Sequence, residues 1–272
     1  MLENSPLGRT TNYPDRYDAS LLFGIPRAAQ RAAIGIRGEL PFDGVDLWTA
    51  YELSWLDERG KPQVAICKIQ VPARSNATVE SKSLKLYLGS FSQETSASVE
   101  AVAGRIERDL GAICDSRVRV RLKAPTGARD MHGIADLPGE SIDAADIAVN
   151  TYRPASELLK SAGAMVDESL RSALFRSNCP VTGQPDYADV LVRYSGPRID
   201  RESLLRYLVS YREHAAFHET CVERIFVDLS QRCLPVRLTV YARFLRRGGI
   251  DINPFRSNFE TPPDQAPRTP RQ

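Results

Sequence analysis

Cys179 lies in the run Ser177-Asn178-Cys179-Pro180-Val181-Thr182-Gly183-Gln184-Pro185-Asp186, where two prolines and a glycine separate a thiol from a carboxyl group. Proline and glycine cannot continue either flanking strand, so the stretch should turn back on itself and bring the two groups together. A nucleophile and an acid would then share one bend, the pairing needed to add sulfur to an electrophilic carbon while its neighbour receives a proton. The alternative is a plain turn holding an inert buried cysteine and a turn-forming aspartate. A second cluster, Phe217-His218-Glu219-Thr220-Cys221, opens a helical pattern in which His218, Val222, Ile225 and Leu229 share a face. His218 is then either a core histidine whose nitrogens are satisfied or a functional group. His-Glu followed by Cys also resembles part of a zinc pattern, but no third and fourth ligand appear at defined spacing.

Two further runs suit anions. Glu80-Ser81-Lys82-Ser83-Leu84-Lys85 holds two lysines out of six in a chain with thirty arginines, which hints that a compact ammonium is needed there. On its own the run reads as a helix start capped by Ser81 or Ser83. Arg246-Arg247-Gly248-Gly249 ends a strand with two donors and two permissive residues, a composition suited to a phosphate or to ordinary surface.

The elements that carry these residues repeat. ESKSLKLYLGSF (80–91) over DRESLLRYLVSY (200–211) aligns Ser83 with Ser203, Leu84 with Leu204, Tyr87 with Tyr207, Leu88 with Leu208 and Ser90 with Ser210. Further on, Glu100, Arg105, Ile106, Asp109 and Leu110 match Glu219, Arg224, Ile225, Asp228 and Leu229, as a duplicated unit would. In the first copy Leu47, Thr49, Tyr51, Leu53 and Trp55 alternate with other residues, and Val64 to Val71 follows across a polar turn, which predicts a hairpin. Val99, Val102, Ile106, Leu110 and Ile113 predict a helix, and RVRVRLK (117–123) an antiparallel strand with one wet face. The second copy predicts strands near 168–177 and 187–195, helices near 200–211 and 213–230, and a strand over 236–244. This is an α+β unit, helices over one face of an antiparallel sheet. Residues 124–146 have linker composition, and the first twenty residues and 259–272 read as loose.

Composition narrows the function. The chain has 272 residues, 42% hydrophobic and 26% charged, enough for two modest domains with their own cores. No apolar run approaches the roughly 18 residues of a membrane span, and the start lacks an export signal, so a cytoplasmic protein is expected. A net charge of +2 does not support a nucleic-acid surface. Five cysteines without C-x-x-C suggest neither a disulfide framework nor a zinc ribbon.

Together the motifs resemble those of the NADPH-dependent 7-cyano-7-deazaguanine reductases (QueF), the nitrile reductases of queuosine biosynthesis, in their long two-module form. The segments ESKSLKLY (80–87), SNCPVTGQPD (177–186), FHETCVERIF (217–226) and RGGIDINPFR (247–256) carry the resemblance, which covers about residues 20–258. It implies two tandem tunnelling-fold (T-fold) modules, over 20–125 and 145–258, followed by a disordered tail over 259–272, and a homodimer. It implies Cys179 as the nucleophile that forms a thioimide, Asp186 as proton donor, and His218 as holding the substrate and assisting proton transfer. Glu219 would accept hydrogen bonds from the base, with Val79, Glu80 and Ser81 completing its pocket. NADPH would be held by Ser81, Lys82, Arg247 and Gly248, so both modules would be needed. No metal, membrane or direct nucleic-acid contact is implied. His214-Ala215-Ala216 departs from the family's Asn-Glu after the histidine. Two other readings remain: a zinc-dependent cyclohydrolase of the same fold acting on a purine or pterin, with Cys179, His218 and Cys221 as ligands, and a non-catalytic purine- or RNA-binding module.

Overall fold

The computed structural model describes residues 13–125, 133–263 and 267–272. Part of the expected linker and of both expected loose ends therefore lies outside the described residues. Two compact units divide the rest. The first takes the described residues within Met1–Ala29, Val45–Met131 and Arg246–Ile252, and the second those within Gln30–Gly44, His132–Leu245 and Asn253–Gln272.

In the first unit a two-stranded ribbon pairs β1 (Gly24–Pro26) with β4 (Ala77–Val79), and short α1 (Ala28–Ala33) begins after β1. β2 (Asp43–Leu56), β3 (Pro62–Pro72) and β5 (Arg119–Lys123) form an antiparallel ladder with β3 between the other two. The expected alternation over Leu47 to Trp55 breaks midway. A bulge between Ala50 and Leu53 shifts the register, so Asp46, Trp48 and Ala50 face inward before it and Leu53 and Trp55 after it. One extra residue turns every later side chain to the other face, which is why Leu47, Thr49 and Tyr51 are not core. α2 (Ser81–Gly89) and α3 (Val99–Cys114) contribute Leu84, Ile106 and Leu110, and the turn after α2 contributes Phe91, to the core around Trp48, Leu53 and Ile69.

In the second unit β7 (Ser161–Asn178) and β8 (Pro185–Ile199) make a long hairpin, continued antiparallel by β9 (Arg237–Phe244) and β10 (Ile250–Ser257). A two-residue β6 (Glu140–Ser141) runs parallel to β7, the exception to an otherwise antiparallel sheet. α4 (Arg201–Val209) packs on β7, and α5 (His218–Cys233) packs across β7, β8 and β9. The predicted face of α5 is inside, since Val222, Ile225 and Leu229 are fully buried.

The units exchange segments that a contiguous division of the sequence would not. Arg31 makes a two-pronged contact with Glu223 at 2.7 and 2.9 Å, and Arg256 shares that carboxylate at 2.9 Å, so 30–44 belongs with α5. Tyr51 donates to Asp251 and its amide to Gly249 O, which fixes 246–252 in the first unit. The segment expected to be a loose tail is partly docked: Thr269 and Gln272 are buried, and the Gln272 amide donates at 2.9 Å to both Phe244 O and Asn253 Oδ1. Satisfying two buried acceptors helps to tie the segment down.

The repeated residues make repeated bonds. Ser83 Oγ donates to Glu80 O and Ser203 Oγ to Asp200 O, both at 2.7 Å. Tyr87 donates to Asp109 and Tyr207 to Asp228, both at 2.6 Å.

Candidate active site

The β7–β8 hairpin closes through the pairs Asn178 with Pro185 and Ser177 with Asp186. Between them Cys179 N donates to Gln184 O at 2.9 Å and Gly183 N to Cys179 O at 3.0 Å, with Gly183 at φ +69, the left-handed conformation that favours glycine. The predicted bend is therefore present. Strand alternation puts Asp186 on the same face as its partner Ser177, and Cys179 two residues further along. Cys179 is 6% exposed, whereas Cys67, Cys114, Cys221 and Cys233 are at 0 to 1%. Burial pushes the Cys67 and Cys221 thiols up to about 12 and Cys233 up to about 11. For Cys221 a bond with Ser177 works against burial, and the charges of Asp186 and Glu219 add to it.

The start of α5 is stapled to the end of β7. Asn178 N donates to His214 O at 2.8 Å and Ala216 N to Asn178 O at 3.1 Å. Both bonds use backbone only, so Ala215 and Ala216 keep the connection whatever side chains relatives place there. His214 itself is held below the usual histidine range by burial and by Arg224. Two residues past the staple α5 begins, and His218 Nε2 lies 3.3 Å from Asp186 Oδ1. The His218 ring stacks on Phe244 with centroids 3.8 Å apart, and its Nδ1 is buried without a hydrogen-bond partner among the described residues. No described protein group therefore satisfies Nδ1, as a core histidine held by the backbone would require. Glu219, 5% exposed, sits in the first turn of α5, where the helix N-terminus favours a carboxylate by about 0.3–1 kcal/mol. One end of the second unit thus gathers Cys179, Asp186, His218 and Glu219.

The first unit gathers the remaining candidates in two places. At the β4–α2 junction Val79 and Glu80 are buried, while Ser81 and Lys82 are half-buried. Neither Ser81 nor Ser83 caps α2. Glu80 does, its carboxylate accepting from Lys82 N at 2.7 Å and Ser83 N at 2.8 Å, because Ser83 Oγ is spent on Glu80 O. Arg247 and Gly248 lie in a tight turn closed by Arg247 N to Ile250 O at 2.8 Å and Ile250 N to Arg247 O at 3.0 Å, with Gly248 and Gly249 at φ +56 and +79. Lys85 Nζ donates to Gly248 O at 2.9 Å. Ser81 and Lys85 are four residues apart on one face of α2, so the face bearing Ser81 is turned to the glycine turn. A cavity of about 310 Å³, lined by Glu52, Leu53, Lys85, Leu88, Gly248 and Ile250 among others, adjoins it. Hydroxyl, ammonium and guanidinium donors beside an exposed glycine backbone suit the phosphates of a dinucleotide.

The model of the family described as nitrile reductase, 7-cyano-7-deazaguanine-reductase N-term, matches residues 13–122, and that of QueF-like protein matches residues 185–263. An NADPH-dependent 7-cyano-7-deazaguanine reductase of Burkholderia multivorans is 54% identical over 99% of this chain and 99% of its own length. One of Bordetella parapertussis is 53% identical over 100% of this chain and 99% of its own. The chain belongs to the QueF family. Tandem tunnelling-fold modules of mixed α and β structure, with antiparallel sheets and packed helices, are the architecture this membership entails. The apo crystal structure of the archaeosine synthase QueF-Like aligns with TM-score 0.32 at 18% identity, covering 37% of this chain and 99% of that one, a likeness too slight to add to it.

Among the described residues no group of three or more His, Cys, Asp and Glu side chains is disposed to hold a metal ion, so nothing favours the cyclohydrolase ligand set of Cys179, His218 and Cys221. Among the same residues no helix is long and apolar enough to cross a membrane. Sequence reading passed over Phe244, and took Lys85 only as one of a lysine pair without assigning it to the site. A stacking partner 26 positions away leaves no local signal, and the spacing of Ser81 and Lys85 was the available clue to the second.

Proposed function

We propose that this chain is a cytoplasmic, homodimeric enzyme that reduces the nitrile of 7-cyano-7-deazaguanine to 7-aminomethyl-7-deazaguanine with NADPH, in tRNA queuosine biosynthesis. The observation that carries the reading is the contact of Asp186 with His218 beside the most accessible cysteine. A nitrile carbon is a poor hydride acceptor. Addition of Cys179 as its thiolate forms an S–C bond and opens one C–N π bond, giving a thioimide whose carbon is a better one. Asp186, protonated at that moment, gives its proton to the nitrile nitrogen and is left as a carboxylate, and His218 can exchange protons with it at 3.3 Å. Glu219 accepts from the ring N–H and amino group of the base, a paired geometry that discriminates against bases lacking either donor. Val79, Glu80 and Ser81 are assigned to the base as well.

NADPH supplies hydride when bound. Ser81, Lys82, Arg247 and Gly248 are assigned to it, supported by the donor types and by the turn's exposed backbone. No G-x-G-x-x-G follows a strand, so the grip is not of the Rossmann kind.

Incubation with the nitrile alone should raise the intact mass by the whole substrate in wild type and not in Cys179→Ala. With NADPH added, nicotinamide absorbance should fall only for the wild type. An unmodified wild-type mass together with no NADPH oxidation would overturn the assignment.

A further inference from the structure

Phe244, the last residue of β9, is 1% exposed and lies parallel to the His218 imidazole, with 7° between the planes. Of the neighbouring ring pairs of this unit, Phe175 with Phe244 and Tyr207 with Tyr211 are edge-on and Phe175 with Tyr211 is tilted at 45°, none of them parallel. His218 has few other constraints. Its Nε2 contact with Asp186 is long for a charged hydrogen bond, and Nδ1 has no partner among the described residues. A ring so held can rotate about its own axis, and a flat plate against its face prevents that.

Phe244 is itself well fixed. It pairs with Ala188 in the β8–β9 ladder, two residues along from Asp186 and so on the same face. Its carbonyl accepts from the Gln272 amide, which is anchored on Asn253. Phe175 packs against Phe244 edge-on, with ring centroids 6.0 Å apart at 90°. The strand pair that carries Asp186 therefore also carries the plate against which His218 rests.

We infer that Phe244 is a positioning residue: it sets the plane of the His218 ring so that Nε2 stays on Asp186 while Cys179 adds to the nitrile. This rests on the roles assigned above to Asp186 and His218.

The test compares wild type with Phe244→Leu, Phe244→Tyr, His218→Ala and the double variant His218→Ala/Phe244→Leu. It reads the rate of adduct formation by quenched intact mass, the steady-state parameters, and the melting temperature. Phe244→Leu should slow adduct formation about tenfold while changing KM for the nitrile by less than about twofold, and Phe244→Tyr should restore the rate. In the His218→Ala background Phe244→Leu should have no further effect, because two residues acting through one contact are not additive. If the leucine variant does not fold, Phe244→Met takes its place. An equal slowing in both backgrounds, or a wild-type rate in Phe244→Leu while His218→Ala is slow, overturns this inference alone. A wild-type rate in His218→Ala overturns the assignment of His218 and this inference with it.

Discussion

Cys179 differs from the four other cysteines by a few per cent of exposure, and the nucleophile proposed for it needs that opening. Burial disfavours the thiolate at Cys67, Cys221 and Cys233, and at Cys221 the charges of Asp186 and Glu219 disfavour it further. At neutral pH a small alkylating reagent should therefore label Cys179 well before the other four, as read by peptide mass. Labelling of Cys221 at a comparable rate would refute the burial argument. Asp186→Asn keeps the shape of the side chain and removes its acidity, so adduct formation should slow by about 10²-fold or more while the nitrile still binds. An unchanged rate would take the proton from another source. The thiol and the acid were legible in the sequence because proline and glycine force their bend. The contact of His218 with Asp186 was not, since it depends on the backbone staple between Asn178 and residues 214–216.

Helix caps and turns are the elements that hold the other candidates. Asp200 accepts from Ser203 N at 2.8 Å at the head of α4, matching Glu80 at the head of α2. Asp200→Ala should cost about 1 kcal/mol in chemical denaturation, with KM for NADPH unchanged. A shift in that KM would mean that α4 matters to the cofactor. Gly249 is more constrained: at φ +79, a Cβ there would stand 2.5 Å from the Glu52 carboxyl carbon. Gly249→Ala should distort the Arg247–Ile250 turn and raise KM for NADPH several-fold, leaving adduct formation on Cys179 untouched. Equal loss of both steps would show that the turn serves something other than the cofactor. Periodicity revealed the two hairpins and the main helices. It failed where side chains depart from their usual habits. The β2 bulge inverts an apparent alternation, Glu80 caps where serine is commoner, and β10 hides its strand behind Pro254 and the buried Asp251 and Asn253, which are bonded to Tyr51 and Gln272.

At the scale of the whole molecule the duplication is a duplication of packing. Both units bury a tyrosine against a helix aspartate, Tyr87 on Asp109 and Tyr207 on Asp228. The second phenol in each cluster differs: Tyr17 donates to Asp109, whereas Tyr211 meets Tyr207 at 2.7 Å. Because the one hydroxyl proton of Tyr207 goes to Asp228, Tyr211 must be the donor to Tyr207. Burial, the largest cause throughout, pushes Tyr17 up to about 12 and raises Tyr87, Tyr194, Tyr207 and Tyr211 as well. The folded protein thus keeps these protons to higher pH than the unfolded chain, which releases them near the ordinary tyrosine value of 10.0. Their contribution to stability is fully present below that pH and is lost as pH rises above it through the raised values of the folded state, since ionisation draws the equilibrium to the unfolded state. In an alkaline titration, phenolate absorbance from these five of the ten tyrosines should appear together with the loss of secondary structure. A smooth titration of all ten at the ordinary value, with circular dichroism unchanged, would mean that the paired tyrosine and aspartate clusters are open to solvent and do not hold either unit together.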